Sequence, residues 1–171
     1  MTRRVFGITG WKNSGKTTLT ERLVAEFTRR GFAVSTIKHA HHAFDIDKEG
    51  TDSFRHRAAG AREVAIVSEG RWALMHELRG ESEPPLDQIL ARLADCDLVL
   101  IEGYKREAHP KIEARRQGAK DTAPLSAHDP AIVAVASDTP QPGEPLPVFE
   151  LDDVQRIADF IADRTSLARP R

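Results

Sequence analysis

Residues 5–9 open the chain with a short β-branched and aromatic run that breaks into a glycine-bearing loop, the pattern of a strand followed by a turn. Over residues 17–30 the apolar positions Leu19, Leu23, Val24 and Phe27 recur at helical spacing, and Gly31 follows as a stop. Residues 32–37 read as a second strand. Residues 38–52 are polar and rich in His and Asp, which predicts a loop, and residues 53–61 predict a short helix carrying Arg55, His56 and Arg57. Two strand-like runs, 64–67 and 72–78, flank Ser68-Glu69-Gly70-Arg71 and predict a β-hairpin. After Pro84-Pro85, residues 86–94 place Leu86, Ile89, Leu90 and Leu93 at helical spacing. The run 98–101 is apolar throughout, as expected of a strand buried on both faces of a parallel sheet. Residues 111–114 and 131–136 predict further strands, and proline and glycine mark a surface loop at 140–147. Asp152 or Asp153 caps a last helix that turns Val154, Ile157, Ala158 and Ile161 inward, and residues 166–171 read as a frayed tail. Strands separated by helices predict a three-layer α/β/α fold with a mainly parallel sheet, an added β-hairpin and a single domain over residues 1–165.

Composition narrows the function classes. At 171 residues the chain can bury roughly 70% of the surface its unfolded form exposes. A net charge of −1 provides no whole-molecule field for nucleic acid or an anionic membrane, so neither is expected as a partner. Arg3-Arg4 faintly resembles a twin-arginine signal, but Gly10, Lys12 and Lys16 interrupt the apolar segment such a signal needs. No run approaches the ~20 apolar residues of a membrane span. The single cysteine, Cys96, excludes an intramolecular disulfide and fits a reducing cytoplasm, the expected location.

The chemistry concentrates in Gly10-Trp11-Lys12-Asn13-Ser14-Gly15-Lys16-Thr17, which matches G-x-x-x-x-G-K-[ST] position for position. Glycines let backbone N–H groups turn inward around phosphate oxygens, and the following helix aims its positive end at the same anion. Lys16 supplies a charge for the β- and γ-phosphates, and the Thr17 hydroxyl is placed to coordinate Mg²⁺. Lys12 reads either as a phosphate contact across a dimer or as a solvated loop lysine.

A further carboxylate should face the metal from the end of a neighbouring strand. Asp97 and Glu102 flank the run 98–101 and lie about 16 Å apart at ~3.3 Å per residue. Ligands of open α/β sheets bind at the carboxyl ends of strands, which selects Glu102 and leaves Asp97 at the far end. Gly103 would let backbone approach a γ-phosphate. The segment from Lys38 to Asp47 holds His39, His41, His42, Asp45 and Asp47. Three readings stay open for it: a transition-metal site, a substrate or switch loop with Asp45 or Asp47 near the Mg²⁺ shell, or a plain polar loop. No Asn-Lys-x-Asp sequence is present to hold guanine; Asp138, after the strand-like run 131–136, is the best-placed substitute, with ordinary turn chemistry as its alternative.

These residues together resemble the molybdopterin-guanine dinucleotide biosynthesis adaptor proteins, the MobB family. The match runs from Gly10 through Thr18, then Lys38-His39-Ala40-His41-His42, Phe44-Asp45-Ile46-Asp47, Gly50-Thr51-Asp52-Ser53, Ala59-Gly60-Ala61 and the segment 97–105, which ends Glu102-Gly103-Tyr104-Lys105. The phosphate loop is generic to a large superfamily; the His/Asp loop and the Glu-Gly-Tyr-Lys segment are the specific parts. The resemblance implies a P-loop NTPase fold and a GTP- and Mg²⁺-binding, weakly GTP-hydrolysing accessory protein. It further implies a homodimer, with the hairpin as the contact arm, that assists the molybdopterin guanylyltransferase, with molybdopterin itself as a further candidate ligand. Lys16, Glu102 and Asp47 are the catalytic candidates; residues 10–18, Gly103 and Asp138 are the nucleotide-binding ones, and Thr17 and Glu102 hold the metal. Two rivals stay open: a P-loop small-molecule kinase using Arg55, His56, Arg57 and Arg62, and a metal-delivering GTPase resting on the histidines.

Overall fold

The computed structural model describes residues 3–40 and 44–168. Along the chain lie β1 (Val5–Thr9), α1 (Lys16–Arg29), β2 (Val34–Lys38), α2 (Asp52–Ala58), β3 (Glu63–Val67), β4 (Trp72–His76) and α3 (Leu86–Arg92). They are followed by β5 (Leu98–Glu102), β6 (Lys111–Arg115), a 3₁₀ turn (Leu125–Ala127), β7 (Ile132–Ser137), β8 (Val148–Glu150) and α4 (Val154–Arg164). The chain forms two compact units, Met1–His39 with Arg92–Arg171, and the excursion Ala40–Ala91 between β2 and β5.

In the larger unit six strands pair in the order β2-β5-β1-β6-β7-β8, every pair parallel. Alternation along each strand sends Phe6 and Ile8, Leu98 and Leu100, Ile112 and Ala114, and Ala134 and Ala136 into one core. The helical partners are Leu19, Leu23 and Phe27 of α1 and Ile157 and Ile161 of α4, spaced four residues apart so that they share one face. Each fully buried Leu, Ile or Phe contributes about 1.5–3 kcal/mol, so this layer carries most of the stability of the unit. The mainly parallel sheet flanked by helices, with a separate two-stranded antiparallel hairpin, is the expected fold class.

Element ends differ from the sequence pattern for local reasons. Phe32 does not start β2: Gly31 takes φ 89°, the Phe32 N–H donates to Phe27 O at 3.1 Å, and the two rings meet edge to face at 6.0 Å. Phe32 therefore closes the C-terminus of α1, and the strand begins two residues later. β8 has three residues directly after Pro147, too short to show alternation. Asp153 caps α4 by accepting from Arg156 N–H at 3.3 Å, while Asp152 pairs with Arg22.

The smaller unit is built on the β3–β4 ladder, with Val64 opposite Met75 and Val67 opposite Trp72, closed by Ser68 N–H to Arg71 O at 2.9 Å. Val64 and Met75 are buried, but Ile66, Val67, Trp72 and Leu74 are exposed. Arg57 of α2 gathers Asp45, Asp47 and Glu77 at 2.9–3.1 Å and ties the segment before α2 to β4.

Segment 103–110 joins β5 to β6 without a helix and brings His109 against Gly7 of β1; a Cβ at Gly7 would stand 2.6 Å from His109 Nε2. Both ring nitrogens of His109 are buried, with no hydrogen-bond partner among the described residues. Beside them Lys111 is fully buried, paired with Asp129 at 3.1 Å and donating to Glu107 O. Burial, then the Lys111 charge, lowers the His109 pKa to about 4. The unfolded chain binds this proton near pH 6.5 and the folded one only near 4, so folding stability falls as pH drops through that window. We expect His109→Gln to flatten that part of the profile: the melting temperature of the native chain should drop more than that of the variant between pH 7 and pH 4. Parallel curves would mean that His109 does not titrate in this environment.

Candidate functional site

Parallel register sets the site. Ile8 of β1 and Lys38 of β2 both stand opposite Glu102 of β5, so three strands end level at the carboxyl edge of the sheet. From β1 the chain enters the loop 10–15, in which Gly10, Asn13 and Gly15 take φ 144°, 67° and 88°. A Cβ at Gly10 would overlap Ser14 Oγ and Ala114 O, so glycine is required there. Gly15 sits at the N-cap of α1 with no side-chain cap, which leaves the amides of the first turn facing the loop. Trp11, Lys12, Asn13, Ser14, Lys16, Thr17 and Thr18 thus lie on one glycine-bearing turn and the helix start that follows it.

Lys16 Nζ donates to Trp11 O at 2.6 Å. Its pKa is lowered, first by burial; Glu102 opposes this, while Lys105 and Lys38 push in the same direction as burial. A desolvated ammonium beside two further cations gains from an anion within reach. Thr17 Oγ1 donates to Glu102 Oε1 at 3.0 Å, and Lys38 Nζ lies 3.6 Å from the same oxygen. The hydroxyl and the carboxylate are hard oxygen donors, the chemistry Mg²⁺ takes, and they meet at the end of the phosphate loop. Asp97 is at the opposite end of β5, where Oδ2 accepts from Ala33 N–H at 2.7 Å. Gly103 follows Glu102 at φ 98°, where a Cβ would press His39 Cβ at 3.1 Å, and its N–H is spent on Ile8 O at 3.2 Å.

Lys38 was not singled out from the sequence, although the strand-end argument that selects Glu102 applies to it as well. Asp47 lies in the smaller unit, its carboxylate taken by Ser53 Oγ at 2.8 Å, Thr51 Oγ1, Lys48 N–H and Arg57 Nε, each at 3.1 Å. His39 lies beside Tyr104 with ring centroids 4.4 Å apart; His41 and His42 are outside the described residues. Among the described residues no group of three or more His, Cys, Asp or Glu side chains could hold a metal ion.

Beside the phosphate loop lies a cleft of about 280 Å³ lined by Trp11, Ser14, Glu113, Arg115, Gln117 and Thr139, among others. Its floor is a half-buried ionic lattice around the fully buried Glu113. Glu113 accepts from Leu125 N–H, Ser126 N–H and Arg115, and Arg115 also reaches Gln141 and Glu144 at 2.9 and 2.7 Å. Asp138, at the end of β7, accepts from Gln117 N–H with both oxygens, at 2.9 and 3.1 Å. Asp138 does not line the cleft; it holds a residue that does.

Comparison with known proteins gives one consistent answer. The family model described as "Molybdopterin guanine dinucleotide synthesis protein B", MobB, matches residues 5–138. The molybdopterin-guanine dinucleotide biosynthesis adapter protein of Haemophilus influenzae is 41% identical over 160 residues, covering 92% of this chain and 86% of that protein. The adapter protein of the same name from Escherichia coli is 37% identical, covering 93% and 91%. Among solved structures, the MobB protein homolog from Bacillus stearothermophilus superposes with a TM-score of 0.72 at 32% identity, covering 96% of this chain and 99% of that one. The Bacillus subtilis MobB structure gives 0.76 at 25% identity, covering 95% and 98%.

The Asp138–Gln117 contact has a direct test. Asp138→Asn turns one acceptor into an amide that opposes the Gln117 N–H, so hydrogen exchange at Gln117 should accelerate by about fivefold, from the ~1 kcal/mol of a lost hydrogen bond. Unchanged exchange at Gln117 would show that the backbone holds this turn without the carboxylate.

Proposed function

This chain belongs to the MobB family, and from that premise we propose that it is a GTP- and Mg²⁺-binding, weakly GTP-hydrolysing adapter in the formation of molybdopterin guanine dinucleotide. The observation that carries the nucleotide reading is the 3.0 Å meeting of Thr17 with Glu102 beside Lys16. The loop amides and Lys16 bind the β- and γ-phosphates. Thr17 and Glu102 would hold Mg²⁺, which would supply positive charge against the phosphate oxygens. Lys38, 3.6 Å from Glu102, tempers that carboxylate's charge. The base enters the cleft next to Trp11, and Asp138 contributes to its selection through Gln117.

The exposed Val67, Trp72 and Leu74 of the hairpin support self-association through that arm. An adapter of this family acts on a partner enzyme, here a molybdopterin guanylyltransferase, with molybdopterin as a candidate ligand of the pair. A cytoplasmic location is supported by the single free cysteine. No described helix is long and apolar enough to cross a membrane.

The kinase reading loses two of its four proposed acceptor-handling groups: Arg57 is committed to Asp45, Asp47 and Glu77, and Arg62 to Glu81. Asp47 is held by the same cluster, which suits it to shaping its own segment rather than to catalysis.

Calorimetric titration of GTP, with and without Mg²⁺, tests the reading. Lys16→Ala should weaken binding about 10- to 150-fold, the ~1.5–3 kcal/mol of a charge-assisted contact, with an unchanged melting temperature. Glu102→Gln should abolish most of the gain that Mg²⁺ gives, whereas Asp97→Asn should keep that gain and lose stability instead. A Mg²⁺ effect that survives Glu102→Gln and disappears in Asp97→Asn would refute the assignment.

A further inference from the structure

The segment after Glu102 contains a cation whose place in the fold the reading above does not explain. Lys105 Nζ sits over the Trp11 ring, 4.4 Å from its centroid, and among the described residues it has no carboxylate partner. Trp11 belongs to the phosphate loop, and its carbonyl is the group to which Lys16 donates. Two ammonium groups therefore converge on one residue of the loop, one on its ring and one on its backbone. They sense each other: the Lys105 charge is among those that oppose protonation of Lys16.

The backbone that carries Lys105 is strained. Gly103 takes φ 98° and Tyr104, which has a Cβ, takes φ 46°. A left-handed aromatic residue directly after a left-handed glycine is an uncommon pair, and such conformations persist where the surroundings hold them. Here the Gly103 N–H is bonded to Ile8 O, and the Tyr104 ring lies 4.4 Å from His39. The Trp11 ring is in turn fixed by its Nε1 donating to Ala123 O at 2.8 Å, so it is a rigid platform for the ammonium. A cation resting on an aromatic face holds a modest attraction, which a doubly charged phosphate oxygen cluster exceeds.

We propose that Lys105 is the γ-phosphate sensor of this protein: it leaves the Trp11 ring to bind the terminal phosphate of a nucleoside triphosphate, and so carries the Gly103–Lys105 segment between two positions. This rests on the nucleotide reading above and assigns to that site a residue that separates triphosphate from diphosphate. A diphosphate gives Lys16 and the loop amides their partners but offers Lys105 none.

Trp72 is the other tryptophan, so Trp72→Phe leaves Trp11 as the sole emitter. In that background both guanosine 5′-(β,γ-imido)triphosphate and GDP place a base beside Trp11, and with Mg²⁺ the triphosphate should change Trp11 emission beyond the change that GDP gives. Adding Lys105→Met should remove the emission difference and cut the triphosphate-over-diphosphate affinity ratio about tenfold, the scale of one charge-assisted contact. Lys105→Arg should keep most of both. A ratio and an emission difference unchanged in Lys105→Met would overturn the sensor while leaving the nucleotide site intact. If the native protein, with Trp72 in place, binds neither nucleotide, the underlying reading fails and the sensor with it.

Discussion

Everything at the carboxyl edge of the sheet depends on the hydrogen-bond register that sets β1, β2 and β5 level. With Ile8 and Lys38 both opposite Glu102, the phosphate loop, a lysine and a carboxylate emerge at one height from three adjacent strands. A shift of one residue in β5 would turn Glu102 to the other face of the sheet and put an apolar side chain in its place. The register is secured by burial, since Leu98, Val99, Leu100 and Ile101 are all fully inaccessible and β5 has a strand on each side. Hydrophobic packing therefore fixes, to within the length of a hydrogen bond, where the polar groups of the site meet.

The polar groups divide into those that hold the frame and those that face outward from it. Glu113 is buried and bonded to the backbone of the 3₁₀ turn, and the half-buried Arg115 links it to the half-buried Glu144, so the three shape the cleft wall rather than act in it. The Arg57 cluster does the equivalent for the smaller unit. Lys16, Lys38 and Lys105 are different: Lys38 stands 3.6 Å from Glu102, Lys16 feels that carboxylate together with both other lysines, and burial already disfavours the charge on Lys16. A frame whose structural charges are balanced and whose loop charges are in excess is suited to a polyanion.

Much of this was legible from residue patterns. The phosphate loop announces itself by type and spacing, and the apolar run 98–101 told which of its two flanking carboxylates ends up near Thr17, because parallel strands all expose their carboxyl ends on one side. What could not be read were contacts that join positions far apart in the chain. Trp11 meets Lys105, Glu113 caps the turn at Leu125, and Asp138 binds Gln117; none follows from periodicity. For Asp47 the residue types left a metal-shell place and a plain polar loop both open, and its contact with Arg57, ten positions on, is one that residue type does not announce. Phe32 looked like a strand residue because its apolar character is the same whether it starts a strand or closes a helix. Local type predicts elements well; the partner of a charged side chain depends on the tertiary fold.

The central claim, that Thr17 and Glu102 form one metal-binding pair at the mouth of the phosphate loop, is tested most directly by crystals grown with a non-hydrolysable GTP analogue and Mn²⁺ in place of Mg²⁺. The account predicts one anomalous peak within coordination distance of Thr17 Oγ1 and of either Glu102 or a water bound to it, with the triphosphate wrapped by the loop. A peak at the Asp45 and Asp47 carboxylates instead, or nucleotide bound with no metal near Thr17, would contradict it.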